Sequence, residues 1–190
     1  NRVDGMYAFG LWDRELRVLS LVRDRMGEKP LYYGTIGTGE VLFGSTLDVL
    51  AAHPGFDRPV DRNALALFFR HNCVPAPWTI RDGILKLEPG CKVEVTASGS
   101  ISEPHRYWSY YDVIEQGATF PGDAEEAVEE LDRLLRRSVK RRMIADVPVG
   151  AFLSGGIDST AVVAIAQQVA SETVKTFTIG SPARDYDESS

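Results

Sequence analysis

Residues 145–164 read Ala-Asp-Val-Pro-Val-Gly-Ala-Phe-Leu-Ser-Gly-Gly-Ile-Asp-Ser-Thr-Ala-Val-Val-Ala. The apolar run 147–153 predicts a strand, and the apolar run 159–170 predicts a helix. Between them stand Gly155 and Gly156, which let the backbone approach a ligand without an intervening Cβ. The first N–H groups of a helix point at such a ligand with the positive end of the dipole behind them. The stretch therefore predicts a phosphate-binding loop at a strand-to-helix turn.

Three polar side chains flank the two glycines. The hydroxyls of Ser154 and Ser159 can donate hydrogen bonds to phosphate oxygens. Asp158 would stand beside the phosphates, and its negative charge is unfavourable there unless a divalent cation lies between them. An ordinary glycine turn would not account for two serines and an aspartate around the glycines.

Other glycine-loop motifs fit this stretch poorly. A Walker loop needs a lysine after its glycines, and a dinucleotide fingerprint needs glycines spaced as Gly-x-Gly-x-x-Gly, whereas the two glycines here are adjacent. A serine-hydrolase elbow needs a glycine where Phe152 stands, and all three histidines precede Ser154 instead of coming after it.

The six residues 154–159 resemble the pyrophosphate loop of the N-type ATP pyrophosphatases. The longer run 146–159 resembles the glutamine-hydrolysing asparagine synthetases in particular. Further stretches agree with that family in the same order. Residues 5–13 and 23–34 are similar to late strands of its glutaminase domain. Residues 74–80 and 83–90 are similar to its connection towards the synthetase domain. Residues 177–180 and 186–188 are similar to the second strand of its ATP domain and to the segment after that strand.

The resemblance implies a fold with two parts, α+β followed by α/β. We expect residues 1–108 to be the carboxyl-terminal part of an Ntn-type antiparallel β-sandwich glutaminase domain. Residues 109–122 are predicted to be a linker. Residues 123–190 are expected to begin a Rossmann-like, parallel-sheet ATP pyrophosphatase domain, which is the synthetase part of the family.

The resemblance also implies a reaction and its site. In the family, ATP activates the side chain of aspartate as an aspartyl-adenylate with release of pyrophosphate, and ammonia cut from glutamine then forms the amide. ATP and Mg²⁺ are the cofactors implied, with Asp158 as the metal ligand and with Asp158 and Ser154 in catalytic roles. Residues carried over as ATP-binding are Leu153, Ser154, Gly155, Gly156, Asp158, Ser159 and Ile179, of which Leu153 and Ile179 contact adenosine through their backbones.

Ammonia passes between the two domains of the family, and Met6, Glu28, Lys29 and Leu153 or its neighbours occupy positions that match its passage. The charges of Glu28 and Lys29 leave three roles open: lining the passage, gating it, or pairing with each other. Met6 is equally compatible with an ordinary place in a strand. Arg23 and Arg25 are interpreted as passage residues or as structural cations that pair with Asp24 or with the opposite domain.

The glutaminase nucleophile of the family is an amino-terminal cysteine whose own α-amino group acts as base. This chain starts at Asn1, and Cys73 and Cys91 lack the surroundings of a nucleophile. We therefore interpret the chain as an internal fragment that is inactive by itself. Both thiols are expected to be free, reduced and mostly buried.

The first half of the chain shows the alternation of antiparallel strands. Strands are predicted at 6–12, 18–23, 30–34, 41–45, 91–96 and 101–108, with helices at 46–52 and from an Asp61 N-cap to His71. A long helix is predicted over 123–143, with Val128, Leu131, Leu134 or Leu135, Val139 and Met143 forming one buried stripe. Strands at 147–153 and 174–179 complete a parallel strand–helix–strand unit.

Composition predicts a soluble, cytoplasmic protein: 44% of residues are hydrophobic, 25% are charged, and the formal net charge is −6. The acidic balance disfavours nucleic acid as a partner. No apolar run approaches the about 18 residues of a membrane span. We expect small-molecule partners, aspartate and glutamine, and consider a homodimer as the assembly.

Two alternatives to asparagine synthesis stay open at the level of sequence. One is a paralogous ligase that activates another carboxylate, as in β-lactam synthetases and macrolactam-forming relatives. The other is a nucleotide-binding module without catalysis. Retention of Asp158 disfavours the second alternative, because a lapsed site has no physical need for this carboxylate.

Overall fold

The computed structural model of the chain describes residues 3–37, 39–117 and 120–180. The chain divides into two compact units, unit 1 (Asn1–Thr119) and unit 2 (Phe120–Ser190). Unit 1 is built mainly from antiparallel strands. Unit 2 contains a parallel strand pair and two helices.

In unit 1, four strands are followed along the chain by two short helices, three further strands and a third helix. The strands are β1 (Ala8–Asp13), β2 (Val18–Arg23), β3 (Tyr32–Thr35), β4 (Val41–Gly44), β5 (Ile84–Lys86), β6 (Cys91–Thr96) and β7 (His105–Arg106). The helices are α1 (Leu47–Ala51), α2 (Arg62–His71) and α3 (Tyr110–Gly117).

Two antiparallel sheets form from these strands, in the orders β1-β2-β6-β7 and β4-β3-β5. In the first sheet, Ala8 of β1 is opposite Arg23, and Val18 of β2 is opposite Thr96. Both sheets contribute to one buried cluster, because inward-facing residues of strands alternate with outward-facing ones. The cluster consists of Leu21, Leu31, Tyr33, Leu87, Cys91, Val93 and Val95. The expectation of antiparallel sheets in the first part of the chain is confirmed.

Most strand predictions in unit 1 are confirmed, with two differences. β5 was not predicted, because a three-residue strand has too few positions to show alternation and is defined by its pairing with β3. The closing hairpin predicted from 91–96 and 101–108 is confirmed as an antiparallel pairing, but its second strand is shorter than predicted. Ile101 bridges Val95, and regular strand is limited to His105–Arg106, which pair with Lys92 and Cys91.

The predicted N-cap of α2 is confirmed. The Asp61 carboxylate accepts hydrogen bonds from the backbone N–H groups of Asn63 at 2.8 Å and Ala64 at 3.2 Å. These two donors have no partner within the first turn of the helix, so the cap stabilises α2 by about 0.5–2 kcal/mol. The helix ends at Asn72, which adopts the left-handed conformation with φ of +56°.

Unit 2 comprises α4 (Ala124–Arg142), β8 (Gly150–Phe152), α5 (Ile157–Val169) and β9 (Lys175–Phe177). β8 and β9 pair in parallel, with Phe152 opposite Phe177, and α5 connects them. The predicted order of strand, helix and strand is confirmed, although both strands are shorter than the ranges 147–153 and 174–179. The segment 109–122, predicted to be a linker, contains α3, a helix that the sequence pattern did not predict.

The prediction of a buried stripe on α4 is wrong. Val128 and Leu131 are 66% and 56% exposed, and no residue of α4 is buried. The stripe is exposed because α5, which packs against α4, has 13 residues and covers only part of the 19-residue helix α4. The amino-terminal end of α4 is stabilised by a capping box between Asp123 and Glu126.

No helix in the described part of the chain combines the length and the apolar character that crossing a membrane requires.

Candidate functional site

The predicted phosphate loop follows the carboxyl end of β8, where parallel sheets commonly bind ligands. Leu153, the first residue after β8, is held by β9 and its extension. Its N–H donates to the carbonyl of Phe177 at 2.9 Å, and its own carbonyl accepts from the hydroxyl of Thr178 at 2.8 Å. The start of the loop is therefore fixed to the neighbouring strand on both sides of Leu153.

Hydroxyl groups connect the two ends of the loop. Ser154 Oγ lies 3.1 Å from Ser159 Oγ, and the Ser154 N–H donates to Ser159 Oγ at 3.3 Å. Ser159 Oγ also donates to the carbonyl of Gly156 at 3.1 Å. The hydroxyl of Thr160 donates to the same carbonyl at 2.8 Å. The loop is thus closed by hydrogen bonds among its own residues.

The two glycines have different conformations. Gly155 has a φ of +76°, a left-handed value that other residues adopt only at a steric cost. Gly156 has an extended backbone, serves as the N-cap of α5, and makes no capping bond through a side chain. The first N–H groups of α5 are therefore left to backbone, solvent or a ligand, as an anion site at a helix start requires.

The structure brings the predicted phosphate residues together. Ser154, Gly155, Gly156, Asp158 and Ser159 occupy one loop and the first helical turn, and all except Ser159 are exposed. Ile179 lies two residues beyond β9 and is 78% exposed. Its backbone contact with adenosine stays a prediction, as do the other assigned roles. Residues 186–188 of the resemblance lie outside the described residues.

The described residues contain no group of three or more metal-binding side chains. Asp158 is the carboxylate that lies within the loop itself. Such a site suits Mg²⁺, which is usually bound through one or two carboxylates together with phosphate oxygens and waters. The donor set present fits a magnesium–phosphate complex better than a cage built by protein alone.

Two residues that bind the loop, Thr160 and Thr178, were not predicted from the sequence. Their hydroxyls bind the carbonyls of Gly156 and Leu153. Thr160 follows the motif directly, so its position on the first turn of α5 could have indicated a bond to a carbonyl four residues earlier. Thr178 is 24 positions after Ser154 in the sequence and reaches the loop only through the pairing of β8 with β9.

In unit 1, the Asp24 side chain is fully buried and organises the loop that follows β2. Its carboxylate accepts hydrogen bonds from the backbone N–H groups of Tyr7, Met26, Glu28 and Lys29 at 2.9–3.3 Å. Burial by itself would raise the pKa of Asp24. The N–H groups of Lys29, Glu28, Tyr7 and Gly27 outweigh burial and hold the pKa below its ordinary value.

Arg23 has a structural role. Its guanidinium donates to the carbonyls of Lys29 at 2.9 Å and of Gly27 and Leu87 at 2.5 Å, while the residue is only 5% exposed. Arg23 therefore binds backbone carbonyls and not the Asp24 carboxylate. The Arg25 guanidinium forms an ion pair with Asp4, with 3.7 Å between Arg25 Nη1 and Asp4 Oδ1.

The side chains of Met6, Glu28 and Lys29 are exposed in unit 1. The backbone N–H groups of Glu28 and Lys29 donate to Asp24, so the course of the chain at these two residues is fixed by a buried carboxylate. An ammonia passage at these residues stays a prediction.

The two cysteines are in different environments. Cys91 is buried in the core of unit 1, and burial raises the pKa of its thiol, which disfavours the nucleophilic thiolate. Cys73 is exposed, so the expectation that both thiols are mostly buried is wrong for this residue. Both are free, as expected.

Comparison with known proteins assigns both parts of the chain. Residues 1–108 match the family model described as "Glutamine amidotransferase domain", and residues 130–190 match the model described as "Asparagine synthase". These two matches define a class: an amidotransferase domain followed by a segment of a synthase domain.

Curated relatives make the family specific. A putative glutamine-hydrolysing asparagine synthetase of Mycobacterium bovis is 37% identical over 194 residues, covering 98% of this chain and 28% of that protein. Asparagine synthetase 1 of Bacillus subtilis is 32% identical, covering 99% of this chain and 28% of that protein. A putative asparagine synthetase of Methanocaldococcus jannaschii is 33% identical, covering 97% of this chain and 35% of that protein.

The chain belongs to the family of glutamine-hydrolysing asparagine synthetases. It spans roughly a quarter to a third of the length of these curated relatives.

Proposed function

We propose that the polypeptide containing these residues is a ligase that makes asparagine from aspartate, ATP and ammonia cut from glutamine. The observation that carries the proposal is the loop at the carboxyl end of β8, where two serine hydroxyls, Asp158 and the start of α5 surround Gly155 and Gly156. Membership of the asparagine synthetase family supports the choice of reaction.

The residues of the loop would act on ATP as substrate. In the proposed reaction, a carboxylate oxygen of aspartate attacks the α-phosphorus of ATP, the bond to the departing pyrophosphate breaks, and an aspartyl-adenylate forms. Negative charge grows on the pyrophosphate, and hydrogen-bond donors at the loop would stabilise that charge as it develops. The proposed donors are the first N–H groups of α5 and the hydroxyls of Ser154 and Ser159, of which the Ser159 hydroxyl would turn from the Gly156 carbonyl to a phosphate oxygen.

Mg²⁺ bound by Asp158 and phosphate oxygens would supply positive charge beside the leaving group. Ammonia would then attack the acyl carbon, forming the amide bond and releasing AMP. Leu153 and Ile179 are proposed to contact adenosine through their backbones. The Leu153 carbonyl already accepts one hydrogen bond from Thr178, and its second lone pair is left for a ligand.

We further propose that unit 1 carries part of an Ntn-type β-sandwich glutaminase and that unit 2 begins a Rossmann-like ATP pyrophosphatase domain. Two antiparallel sheets sharing one core support the first assignment. The parallel pair β8 and β9 with α5 between them supports the second. The proposed bounds are 1–108 and 123–190, joined by a linker at 109–122.

The test is ATP–pyrophosphate exchange by the polypeptide encoded by the complete reading frame. We expect exchange that depends on aspartate and Mg²⁺, and formation of asparagine when glutamine is added. Glutamate, a β-amino acid with a free carboxylate and a short peptide serve as alternative acids. Exchange with one of these acids and not with aspartate would replace the proposed substrate, and no exchange with any acid would refute the ligase assignment.

A further inference from the structure

Thr178 reaches from the end of β9 to the start of the phosphate loop. Its Oγ1 donates a 2.8 Å hydrogen bond to the carbonyl of Leu153. The strand pairing ends one residue earlier, with Phe152 opposite Phe177. A side-chain hydroxyl thus binds the first carbonyl after the paired residues, at the point where the chain turns away into the loop.

This bond fixes the direction of the next N–H group. In a trans peptide, the C=O and the N–H point in opposite directions, so orienting the Leu153 carbonyl towards Thr178 orients the Ser154 N–H away from β9. The Ser154 N–H donates to Ser159 Oγ at 3.3 Å, on the side of the loop where α5 begins. Thr178 therefore controls which way the first donor of the loop faces.

The side chain of Thr178 is exposed, so its effect on packing is small and its hydrogen bond is its main contribution. We propose that Thr178 is a positioning residue of the ATP site, which holds the Leu153–Ser154 peptide in the orientation that points the Ser154 N–H into the phosphate loop, where a phosphate oxygen would replace Ser159 Oγ as its acceptor. This inference rests on the proposed function, because that proposal supplies ATP as the ligand. Thr178 acts through the peptide and not by contact with the reacting atoms.

Three variants of the complete polypeptide test the role. Thr178→Val keeps the shape of the side chain and removes the hydroxyl, whereas Thr178→Ser keeps the hydroxyl. Thr176→Val is the matched control on β9, since the Thr176 hydroxyl makes no hydrogen bond among the described residues. The readouts are KM for ATP and kcat in ATP–pyrophosphate exchange, together with hydrogen exchange of the peptide spanning 153–157.

We expect Thr178→Val to raise KM for ATP about five-fold, the effect of one lost hydrogen bond, while kcat stays within about two-fold. Hydrogen exchange at 153–157 should accelerate in the same variant. Thr178→Ser should restore both values, and Thr176→Val should change neither. If Thr178 had a purely structural role, Thr178→Val would instead lower the thermal midpoint and the fraction of active enzyme. KM for ATP would then not rise by itself while kcat stays constant.

Two results overturn the proposal, and they are distinguishable. If the wild type exchanges pyrophosphate and Thr178→Val leaves KM for ATP unchanged, the positioning role fails while the proposed function stands. If the wild type shows no exchange with any acid, the proposed function fails, and the role of Thr178 towards ATP fails with it.

Discussion

The hydroxyl oxygens of Ser154 and Ser159 lie 3.1 Å apart across the phosphate loop. Ser159 Oγ also accepts from the Ser154 N–H and donates to the Gly156 carbonyl, so it takes part in three contacts. Among the described residues, Ser154 Oγ takes part in one such contact, with Ser159. The two serines are therefore unequal: Ser159 holds the loop together, and Ser154 is the one more available to a ligand.

This inequality predicts different effects for the two alanine variants. Each variant removes one proposed phosphate donor, but only Ser159→Ala also releases the Ser154 N–H and the Gly156 carbonyl. We expect KM for ATP to rise about five-fold more in Ser159→Ala than in Ser154→Ala, the effect of an additional lost hydrogen bond. Exchange kinetics of both variants in the complete polypeptide measure the ratio. Equal effects would show that Ser159 has no organising role.

The two loop glycines should respond differently to alanine. Gly155 has a φ of +76°, so Gly155→Ala introduces strain of about 1–2 kcal/mol. A Cβ on Gly156 would have Ser154 Oγ as its nearest neighbour at 3.7 Å, an ordinary contact. Hydrogen exchange of the peptide 150–160 should accelerate about 5- to 30-fold in Gly155→Ala and remain near wild type in Gly156→Ala. The reverse order would show that the left-handed turn is not maintained in solution.

Local signals predicted much of the fold. Alternation predicted β2 and β6 to the residue, and Asp61 marked the start of α2, because strand period and helix capping depend on neighbours in the sequence. β5 and the exposure of α4 could not be predicted in this way. A strand as short as β5 exists through its pairing with β3, and the exposure of α4 depends on which element covers it.

The candidate site likewise has some residues that the sequence predicts and others that only the fold brings together. The serines, glycines and Asp158 stand within six consecutive residues, so the chemistry of the loop is visible in the sequence. The role of Thr178 is not visible in the sequence, because its contact with Leu153 arises from the parallel pairing of β8 with β9. Asp24 similarly owes its role to a bend that returns the N–H groups of Glu28 and Lys29 to its carboxylate.

Asp24→Asn should destabilise unit 1. The substituted side chain would keep one oxygen acceptor but place an NH₂ group against backbone N–H donors whose hydrogen bonds the carboxylate now accepts. We expect the free energy of unfolding to fall by about 1.5–3 kcal/mol, as for loss of hydrogen bonds to a buried charged group. Asp13→Asn is the matched control, since Asp13 also accepts from two backbone N–H groups but in an exposed turn. Equal losses in the two variants, measured by denaturant unfolding, would contradict this account.

The pKa of Asp24 gives this effect a pH dependence. Because the pKa is lower in the folded state than in the unfolded state, the ionised carboxylate stabilises the fold above the unfolded pKa of about 3.9. That contribution is lost as the pH falls through the lower, folded pKa. The difference in unfolding free energy between wild type and Asp24→Asn should therefore be constant from about pH 5 to 7 and shrink below about pH 4.

Unit 2 should not fold by itself. Among its described residues, only Ile165 and Ala166 are buried apolar side chains, while Phe152 and Ile179 are 77% and 78% exposed. Two paired strands and two helices that bury so few apolar side chains do not offset the entropy of ordering the chain. We expect residues 120–190 expressed alone to unfold without a cooperative thermal transition and to bind a hydrophobic dye. A sharp transition from a monomer would show that unit 2 is an independent domain.

Asp158→Asn should abolish adenylation in the complete polypeptide while glutamine hydrolysis continues. Asparagine keeps the shape of the side chain but loses the charge that would hold Mg²⁺ against the pyrophosphate, and such charge stabilisation commonly lowers a barrier by about 3–4 kcal/mol. Aspartate-dependent pyrophosphate release should therefore fall by at least about 100-fold. Release of glutamate from glutamine should stay within about two-fold of wild type, because we propose that this reaction takes place in the amidotransferase domain.

The matched control for this variant is Asp132→Asn on α4. Asp132 forms an exposed ion pair with Arg136 at 2.6 Å, and exposed pairs of this kind contribute little to stability, so pyrophosphate release should be unchanged. Raising the Mg²⁺ concentration separates a metal ligand from a structural residue: weak residual activity of Asp158→Asn should increase with Mg²⁺ if the carboxylate binds the ion. Near wild-type pyrophosphate release by Asp158→Asn at low Mg²⁺ would show that the metal is held elsewhere and that Asp158 has another role.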